Sequence, residues 1–393
     1  MLDHSPKVAL LIETARSYGR GVLQGVARYS RLYGPWRFHL TPGDFEQIAP
    51  KMRDWQGDGV IARALDRDMA HILLEMRVPT VFLDFPVENL LRSESETKFC
   101  ADLTSDSVGA ARMAAKLLLD KKLTQFAFVG YPYQSWSVKR EAAFVAAIRE
   151  VGYDTMVYRP PTSFGRPLRW EKEEPILREW LKSLPKPIGL MACNDQRGRE
   201  ALDACESAHI KAPEEIAVIG VDADELLCEL CAPPLTSVAL NAEKGGFLAA
   251  KILDEMMNGA EPSIKHILVE PTGVVERRST NIILVEDEDV AEALRIIHSE
   301  RLESLTVDSI SRRIPISRRQ LEIKFRKRVG RTMLEELQNV RIERAKQMLR
   351  ETDATIDKIA RTIGFSAAGY FHQTFRRKVG VTPAKYRQEA RGE

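Results

Sequence analysis

The chain has 393 residues, of which 44% are hydrophobic and 29% are charged, and its formal net charge is only +2. This length exceeds one ordinary core, so we expect two or three soluble domains. No apolar run approaches the roughly 18 residues of a membrane span, and the first residues lack a signal-peptide pattern. The five cysteines fit a reducing compartment, so we expect a cytoplasmic protein without a membrane partner.

Residues 7 to about 280 alternate short β-rich runs with helical stretches. The predicted strands are Lys7–Ile12, Gly59–Ala62, Pro79–Leu83, Gln125–Val129, Ile188–Ala192 and Ile216–Gly220. The predicted helices are Tyr18–Arg31, Ser105–Leu119, Val138–Val151, Gln196–Ala208 and Glu243–Met257. This alternation predicts an α/β fold with parallel sheets. Because about 270 residues is long for one sheet, we expect two doubly wound lobes with a cleft between them.

Polar residues cluster in the loops and helix starts of this segment, where open α/β sheets bind ligands. Carboxylates, amides and guanidinium groups bind sugar hydroxyls, and an indole covers the apolar face of a sugar. The predicted ligand-binding residues are Glu13, Tyr18, Asp102, Trp136, Arg140, Asn194, Asp195 and Asp222. The alternative for any one loop aspartate, Asp195 for example, is a helix cap.

An enzyme would need a nucleophile–base pair or a metal cluster. No histidine falls at these loops, and no Gly-rich phosphate loop follows a strand. Cys228 and Cys231 form a single C-x-x-C pair without further ligands nearby, whereas zinc takes about four ligands. We therefore predict no catalytic residues, no metal and no cofactor.

Three of these loops carry a family resemblance. Asn194-Asp195-Gln196 and Gly220-Val221-Asp222 resemble the effector domain of LacI-type repressors and periplasmic sugar-binding proteins. Arg140 matches that family's Arg-x-x-Gly-Phe position, with Ala143 in place of the glycine. The resemblance implies a two-lobed sensor over residues 1–280 whose cleft holds a small sugar.

An acidic segment at 281–289 is predicted to be a linker, and residues 290–393 show only helical patterns. The predicted helices are Val290–His298, Val307–Arg313, Arg318–Val329, Leu334–Leu349, Ile356–Ile363, Ala367–Val379 and Pro383–Ala390. Ser317 and Ser366 stand at predicted N-caps, and Gly330 and Gly380 at predicted C-termini.

Two copies of one unit recur in this region: a short helix, a tight turn and a basic helix. Phe325-Arg-Lys-Arg-Val-Gly330 ends the first copy, and Phe375-Arg-Arg-Lys-Val-Gly380 ends the second. This pattern is typical of helix-turn-helix units, whose second helix enters the major groove. The helix between the copies would span roughly 24 Å, which lets both units reach successive grooves of one duplex.

Charge supports double-stranded DNA as the partner of this region. Residues 309–391 contain 21 Lys and Arg against 8 Asp and Glu, a net charge of +13, so the rest of the chain carries −11. Leu321, Phe325 and Val329 form the core stripe of the first basic helix, and Phe371, Phe375 and Val379 form that of the second. The predicted DNA-binding residues are Arg318, Arg319, Gln320, Glu322, Ile323, Arg326, Lys327, Ala368, His372, Gln373, Arg376 and Arg377.

Residues 290–393 resemble the AraC-type DNA-binding domain, and the tail from Gly364 to Arg387 matches that family's signature nearly position by position. One departure is Ala367-Ala368-Gly369, which offers few side chains to a base edge. We therefore expect the first copy to read bases more strongly than the second.

A LacI-like sensor ahead of an AraC-like reader is similar to the xylose-operon regulators, which also end the sensor as Glu276-Arg-Arg-Ser-Thr280 does here. The resemblance covers essentially the whole chain. It implies a D-xylose-dependent activator of pentose catabolism genes that acts as a homodimer with RNA polymerase. The alternatives are a repressor that responds to another sugar and, more distantly, a sugar-processing enzyme.

Overall fold

The computed structural model describes residues 5–40, 55–63, 67–84, 99–163, 166–262, 264–282, 287–299 and 302–391. The chain divides into two compact units, Met1–Ile282 and Ile283–Glu393. The linker predicted at 281–289 lies in part, at 283–286, outside the described residues. The domain limits drawn from the sequence stay a prediction.

Every strand among the described residues belongs to the first unit. Its described strands are β1 (Lys7–Leu11), β2 (Arg37–Leu40), β3 (Gly59–Ala62), β4 (Thr80–Leu83), β5 (Cys100–Ser105), β6 (Phe126–Val129), β7 (Thr155–Val157), β8 (Thr162–Ser163), β9 (Arg166–Pro167), β10 (Ile188–Ala192), β11 (Ile216–Val221), β12 (Thr236–Leu240), β13 (His266–Val269) and β14 (Pro271–Val275). Its helices are α1 (Ser17–Tyr33), α2 (Arg67–Glu75), α3 (Ser107–Asp120), α4 (Ser135–Glu150), α5 (Trp170–Ser183), α6 (Asp195–Ser207), α7 (Glu225–Leu230) and α8 (Ala242–Met257).

Twelve of these strands form two six-stranded sheets, one in each lobe, and β8 with β9 forms a separate two-stranded sheet. Lobe one has the order β13-β5-β4-β3-β1-β2, and lobe two has the order β14-β12-β11-β10-β6-β7. All pairs within the two six-stranded sheets are parallel except β12 with β14. Central strands such as β3 and β10 are buried along their whole length, as a parallel sheet covered on both faces requires. The predicted pair of doubly wound lobes is confirmed.

Helices α1 and α8 pack unusually closely on lobe one. A Cβ atom at Gly25 would lie 2.0 Å from the carbonyl oxygen of Glu243, and one at Gly246 would lie 2.0 Å from that of Val22. Since real Cβ atoms do not approach so near, glycine at both positions is what lets the two helix backbones touch.

The chain passes between the lobes three times, after β5, after β12 and after β13. The three crossing segments lie side by side: Asp106 N–H donates to the Val269 carbonyl (2.9 Å), and Asn241 N–H donates to that of Glu270 (3.1 Å). The side chains of Asp106 and Asn241 also cap α3 and α8. These segments are therefore the hinge of the sensor.

The second unit is helical throughout its described residues. Its helices are α9 (Glu288–Ser299), α10 (Val307–Ser311), α11 (Arg318–Val329), α12 (Met333–Glu351), α13 (Ile356–Thr362), α14 (Ala368–Val379) and α15 (Pro383–Arg391). Two apolar cores hold them, one around Leu321 and Phe325 and one around Phe371 and Phe375. Helix α12 contributes to both cores, and its 19 residues span about 28 Å.

Capping explains where these helices begin and end. Ser317 and Gln320 form a reciprocal capping box at α11, and Gly330 and Gly380 take left-handed conformations after α11 and α14. The predicted cap at Ser366 is wrong. Helix α14 begins one residue later, with Ala367 as its N-cap and without a side-chain cap bond. Ser366 therefore stands one position too early to serve the first turn.

Candidate functional site

A cavity of about 290 Å³ lies between the two lobes of the sensor. It opens where the parallel strands end, which is the usual ligand position in such sheets. Seven residues at or just after strand ends line it: Glu13, Arg63, Asp84 and Ser105 from lobe one, and Tyr131, Asn194 and Asp222 from lobe two.

On the lobe-one side, Arg63 organises the cavity wall. Its Nε donates to Glu13 Oε2 at 2.9 Å, and its Nη1 donates to the carboxylate of Asp84. Asp84 in turn accepts the Ser105 N–H at 3.1 Å. Arg63 is 9% exposed, so this buried guanidinium is held by two carboxylates.

On the lobe-two side, Arg140 has the matching position. It donates to the Cys193 carbonyl (2.5 Å) and to Ser105 Oγ (3.3 Å), and it lies 3.5 Å from Asp222 Oδ1. Its guanidinium stands 5.1 Å from the centre of the Trp136 ring. We call the connected residues Glu13, Arg63, Asp84, Ser105, Arg140 and Asp222 the central network. Ser105, from lobe one, joins its two halves.

Two buried polar groups at this network have no hydrogen-bond partner among the described residues, namely the Tyr18 hydroxyl and the Arg140 Nε. The Arg63 guanidinium lies 5.4 Å from the centre of the Tyr18 ring. Burial raises the pKa of Tyr18 well above its usual value, so its hydroxyl stays protonated and can donate. Since buried polar groups are normally satisfied, both atoms mark places for ligand atoms.

Two neighbouring carboxyl groups lie beyond the ends of the adjacent strands β10 and β11, namely those of Asp195 and Asp222. Burial raises the pKa of Asp222 to about 6, although Arg140 acts in the opposite direction. Burial, together with the charge of Asp222, raises the pKa of Asp195 to about 8. Asp222 also has a φ of +107°, which a non-glycine residue rarely adopts. The site therefore holds one aspartate ready to ionise near neutral pH above a second that stays protonated longer.

A second group of polar side chains lines the same cavity, entirely within lobe two. Arg197 donates to Glu200 Oε2 at 2.8 Å and to the carboxylate of Glu173, and its guanidinium lies 5.1 Å from the Tyr131 ring centre. We call Tyr131, Glu173, Arg197 and Glu200 the distal cluster. Its Tyr131 ring makes an edge contact with the ring of Trp136, and the two ring centres are 6.3 Å apart. Trp136 in turn lies against Arg140 of the central network.

One ion pair bridges the lobes beside the cavity. Asp224 of lobe two accepts the Ser17 N–H (3.1 Å) and Arg20 Nη2 (2.8 Å), both from the start of α1 in lobe one. Asp224 N–H donates to Asp195 at 2.7 Å. Asp224 therefore supplies the cap that the N-terminus of α1 lacks, since Arg16 makes no side-chain cap bond.

The second unit presents polar side chains on the first basic helix, α11. Arg319 and Gln320 are exposed, and Ile323 keeps 60% of its surface accessible. Arg318 is also exposed but bonds Glu322 Oε1 at 2.9 Å and the carboxylate of Asp308. Arg319 is thus the cation of this first turn best placed to reach a guanine edge.

The corresponding surface of α14 is smaller. Gln373 is exposed, whereas Ala368 and His372 are half-buried. Tyr370 is 47% exposed, and its hydroxyl accepts a hydrogen bond from Gln338 at 2.7 Å. At both helix ends the basic residues are exposed, as phosphate contacts would require: these are Arg326, Lys327 and Arg328 on α11, and Arg376, Arg377 and Lys378 on α14.

Comparisons with known proteins agree across the whole chain. Residues 7–88 match the XylR N-terminal domain, 115–280 a periplasmic binding protein-like domain and 310–389 a helix-turn-helix domain. The xylose operon regulatory protein of Escherichia coli K12 is 32% identical over 98% of each chain. That of Haemophilus influenzae is 29% identical over 98% of this chain and 99% of the relative.

The chain belongs to the family of xylose operon regulatory proteins.

A solved structure described as the xylose-binding transcription activator xylR superposes with a TM-score of 0.81, at 30% identity and with 99% of each chain covered. The fold class and the AraC-type and sensor resemblances predicted from the sequence are confirmed. As a member of this family, the chain is a DNA-binding regulator of transcription. Among the described residues, no helix is long and apolar enough to cross a bilayer, and no cluster of His, Cys, Asp or Glu could hold a metal ion.

The structure brings six of the eight predicted ligand-binding residues together around the cavity: Glu13, Tyr18, Trp136, Arg140, Asn194 and Asp222. Asn194 also caps α6 by accepting the Arg197 N–H at 2.9 Å. Their roles toward a ligand remain predictions. The same holds for the predicted DNA contacts, which are all exposed except the half-buried Ala368 and His372.

Two predicted positions lie elsewhere. Asp102 is in the middle of β5 rather than after a strand, and its carboxylate lies 2.6 Å from His266 Nδ1 on the neighbouring β13. Asp195 is buried below the cavity lining, where it accepts Ser237 Oγ at 2.5 Å and the Asp224 N–H. It therefore supports the loop that carries Asp222.

The predicted ligand-binding residues did not include Arg63 or Asp84, although each directly follows a predicted strand. The same strand-end rule that selected Asn194 would have found both. Glu173, Arg197 and Glu200 had no such signal, because they lie on helices α5 and α6.

Proposed function

We propose that this chain is a D-xylose-responsive activator of pentose catabolism genes. The observation that carries the proposal is the central network, which surrounds one cavity with polar groups from both lobes. Among the described residues, the Tyr18 hydroxyl and Arg140 Nε have no hydrogen-bond partner. The similar structure described as a xylose-binding transcription activator supports the choice of sugar and the sign of regulation.

The charge of the cavity favours a neutral polyhydroxy ligand. Of the residues that the structure describes, four arginines and five carboxylates line it, so their charges nearly cancel toward a ligand. Carboxylates accept hydrogen bonds from adjacent hydroxyls while guanidinium groups donate to them, and Trp136 with Tyr18 can cover the apolar ring faces. A sugar phosphate would place a dianion beside Glu13, Asp84 and Asp222, at a large electrostatic cost.

The geometry also provides a route from sugar to lobe position. A sugar that bonds Arg63 and Asp84 in lobe one can also bond Arg140 and Asp222 in lobe two only when the lobes are closed. It therefore binds the closed arrangement more tightly than an open one. The difference between these two binding free energies is the amount by which it shifts the open–closed equilibrium. The ion pair of Asp224 with Arg20 joins lobe two to lobe one at 2.8 Å, so on this proposal separation of the lobes would break it. Only Ala223 separates Asp222 from Asp224, so the ligand and the ion pair act on one loop.

On this proposal the protein binds operator DNA in the bacterial cytoplasm as a homodimer, acts with RNA polymerase and does not turn the sugar over. Lobes of this type usually pair through exposed helices, and a dimer would set two DNA-binding units at a fixed spacing.

Calorimetry on the full chain with a panel of pentoses and hexoses tests the effector. Fluorescence anisotropy, on duplexes selected by binding, tests the response. We expect D-xylose to bind most tightly and to raise DNA affinity. Tighter binding of another monosaccharide of the panel would overturn the choice of effector, a fall in DNA affinity would make the protein a repressor, and conversion of xylose detected by NMR would make it an enzyme.

A further inference from the structure

The effector cavity contains more recognition groups than one pentose ring can use. The central network and the distal cluster both line it, and no hydrogen bond between their side chains is present in the described part of the chain. They are separate sets of polar groups that face one space.

The cavity extends beyond the central network. Its volume is about 290 Å³, and Trp170 and Glu200 line it as well as Arg63 and Asp222. A single ring held by the central network would leave the distal part of this lining without a ligand contact.

The distal cluster repeats the chemistry of the central network. It offers two carboxylates, a guanidinium and the ring of Tyr131, and Trp170 lines the cavity beside it. Arg197 is 1% exposed, and its Nε has no hydrogen-bond partner in the described structure. The residues thus combine hydroxyl-binding groups with aromatic faces, as sugar sites do.

Resting on the proposed function, we propose that the distal cluster is a second sugar subsite and that the effector class includes disaccharides built from pentoses. One ring lies in the central network between the lobes, and the other lies against Trp170 and Glu200. Because the distal cluster belongs to lobe two alone, the second ring adds affinity without adding contacts across the hinge. A disaccharide should therefore bind more tightly than the single sugar but switch DNA binding to the same final extent.

The test compares D-xylose with xylobiose by calorimetry on the full chain. We expect xylobiose to bind about tenfold more tightly. Glu200→Gln and, independently, Trp170→Leu should remove that gain while leaving the affinity for D-xylose within about twofold. Thermal melting shows whether the Glu200 variant has lost stability. If it has, the Trp170 variant still tests whether the gain in xylobiose affinity depends on the distal part of the cavity.

The two proposals fail in different ways. If D-xylose binds but xylobiose binds no more tightly, or if both distal variants weaken the two sugars equally, the distal cluster is a structural ion pair and the subsite is overturned while the effector assignment stands. If neither sugar binds, the proposed function itself is wrong.

Discussion

The sensor and the DNA-binding unit use arginine in opposite ways. In the sensor, Arg63, Arg140 and Arg197 are at most 9% exposed, and each pairs with one or two carboxylates. In the DNA-binding unit, the basic residues at the ends of α11 and α14 are exposed. Buried, compensated cations suit a neutral ligand that needs orientation, whereas exposed cations suit a polyanion.

The largest expected effect is that of Asp222→Ala. The change would leave Arg140 buried without its carboxylate and remove an acceptor for the sugar, so affinity for D-xylose should fall about 100-fold or more, which corresponds to roughly 3 kcal/mol. Calorimetry measures the loss. Glu261→Ala, on the surface of the same unit, is the matched control, and unchanged affinity in Asp222→Ala would remove this residue from the site.

In the DNA-binding unit, Arg319→Ala should cost roughly 1–3 kcal/mol and relax the preference at one base pair. In the second copy Gly369 stands where the first has Arg319, so the comparison is Gln373→Ala, which should cost less because α14 presents fewer side chains. Binding to a library of single-base operator variants checks both. Equal costs would contradict the expected inequality of the copies, and a uniform loss across all sequences would make Arg319 a phosphate contact.

Sugar binding should depend on pH. Because the pKa of Asp222 is raised to about 6 and its carboxylate form accepts sugar hydroxyls, affinity should rise with pH and level off above about pH 7. At pH 5 only about a tenth of the group is ionised, so affinity should be about tenfold lower. Titration calorimetry from pH 5 to 8 tests this. A flat profile, or one that falls with pH, would mean that the ligand does not use this carboxylate.

The smallest effects should follow removal of one exposed cation. Lys327→Ala and Arg377→Ala should each weaken binding about threefold for every DNA sequence. Each should also reduce, by about 1, the steepness with which the logarithm of the DNA-binding constant falls with the logarithm of the salt concentration. The control is Lys182→Ala on the sensor, which should change neither quantity. Sugar affinity should hardly change with salt, and a steep dependence there would break the contrast between the units.

The fold was largely predictable because its signals are local. Strands β3 and β10 are short apolar runs, and α11 has a capping box and a terminal glycine, so all three match their predicted bounds. Strand β5 was missed since Asp102 and Thr104 interrupt its apolar pattern. Strand β14 has no fully buried residue and pairs antiparallel, so it shows no buried run.

The site was predictable only where it follows strand ends. Asn194 and Asp222 come directly after apolar runs, and both line the cavity. The ion pair of Arg197 with Glu173 joins α6 to α5 across 24 positions. A contact between residues so far apart in sequence cannot be predicted from hydrophobic periodicity. Asp102 was wrongly predicted to lie after a strand because β5, which contains it, was not predicted. A charged residue within a short strand has the same sequence pattern as a loop residue.

The triple crossing at the hinge has a consequence for engineering. Neither lobe is a continuous stretch of sequence, because β13 returns to lobe one after lobe two has begun and β14 then leaves it again. A single splice therefore cannot transplant one lobe into another regulator. To change what the protein senses, one must either exchange the sensor as a single cassette ending near residue 282 or redesign side chains inside its cavity.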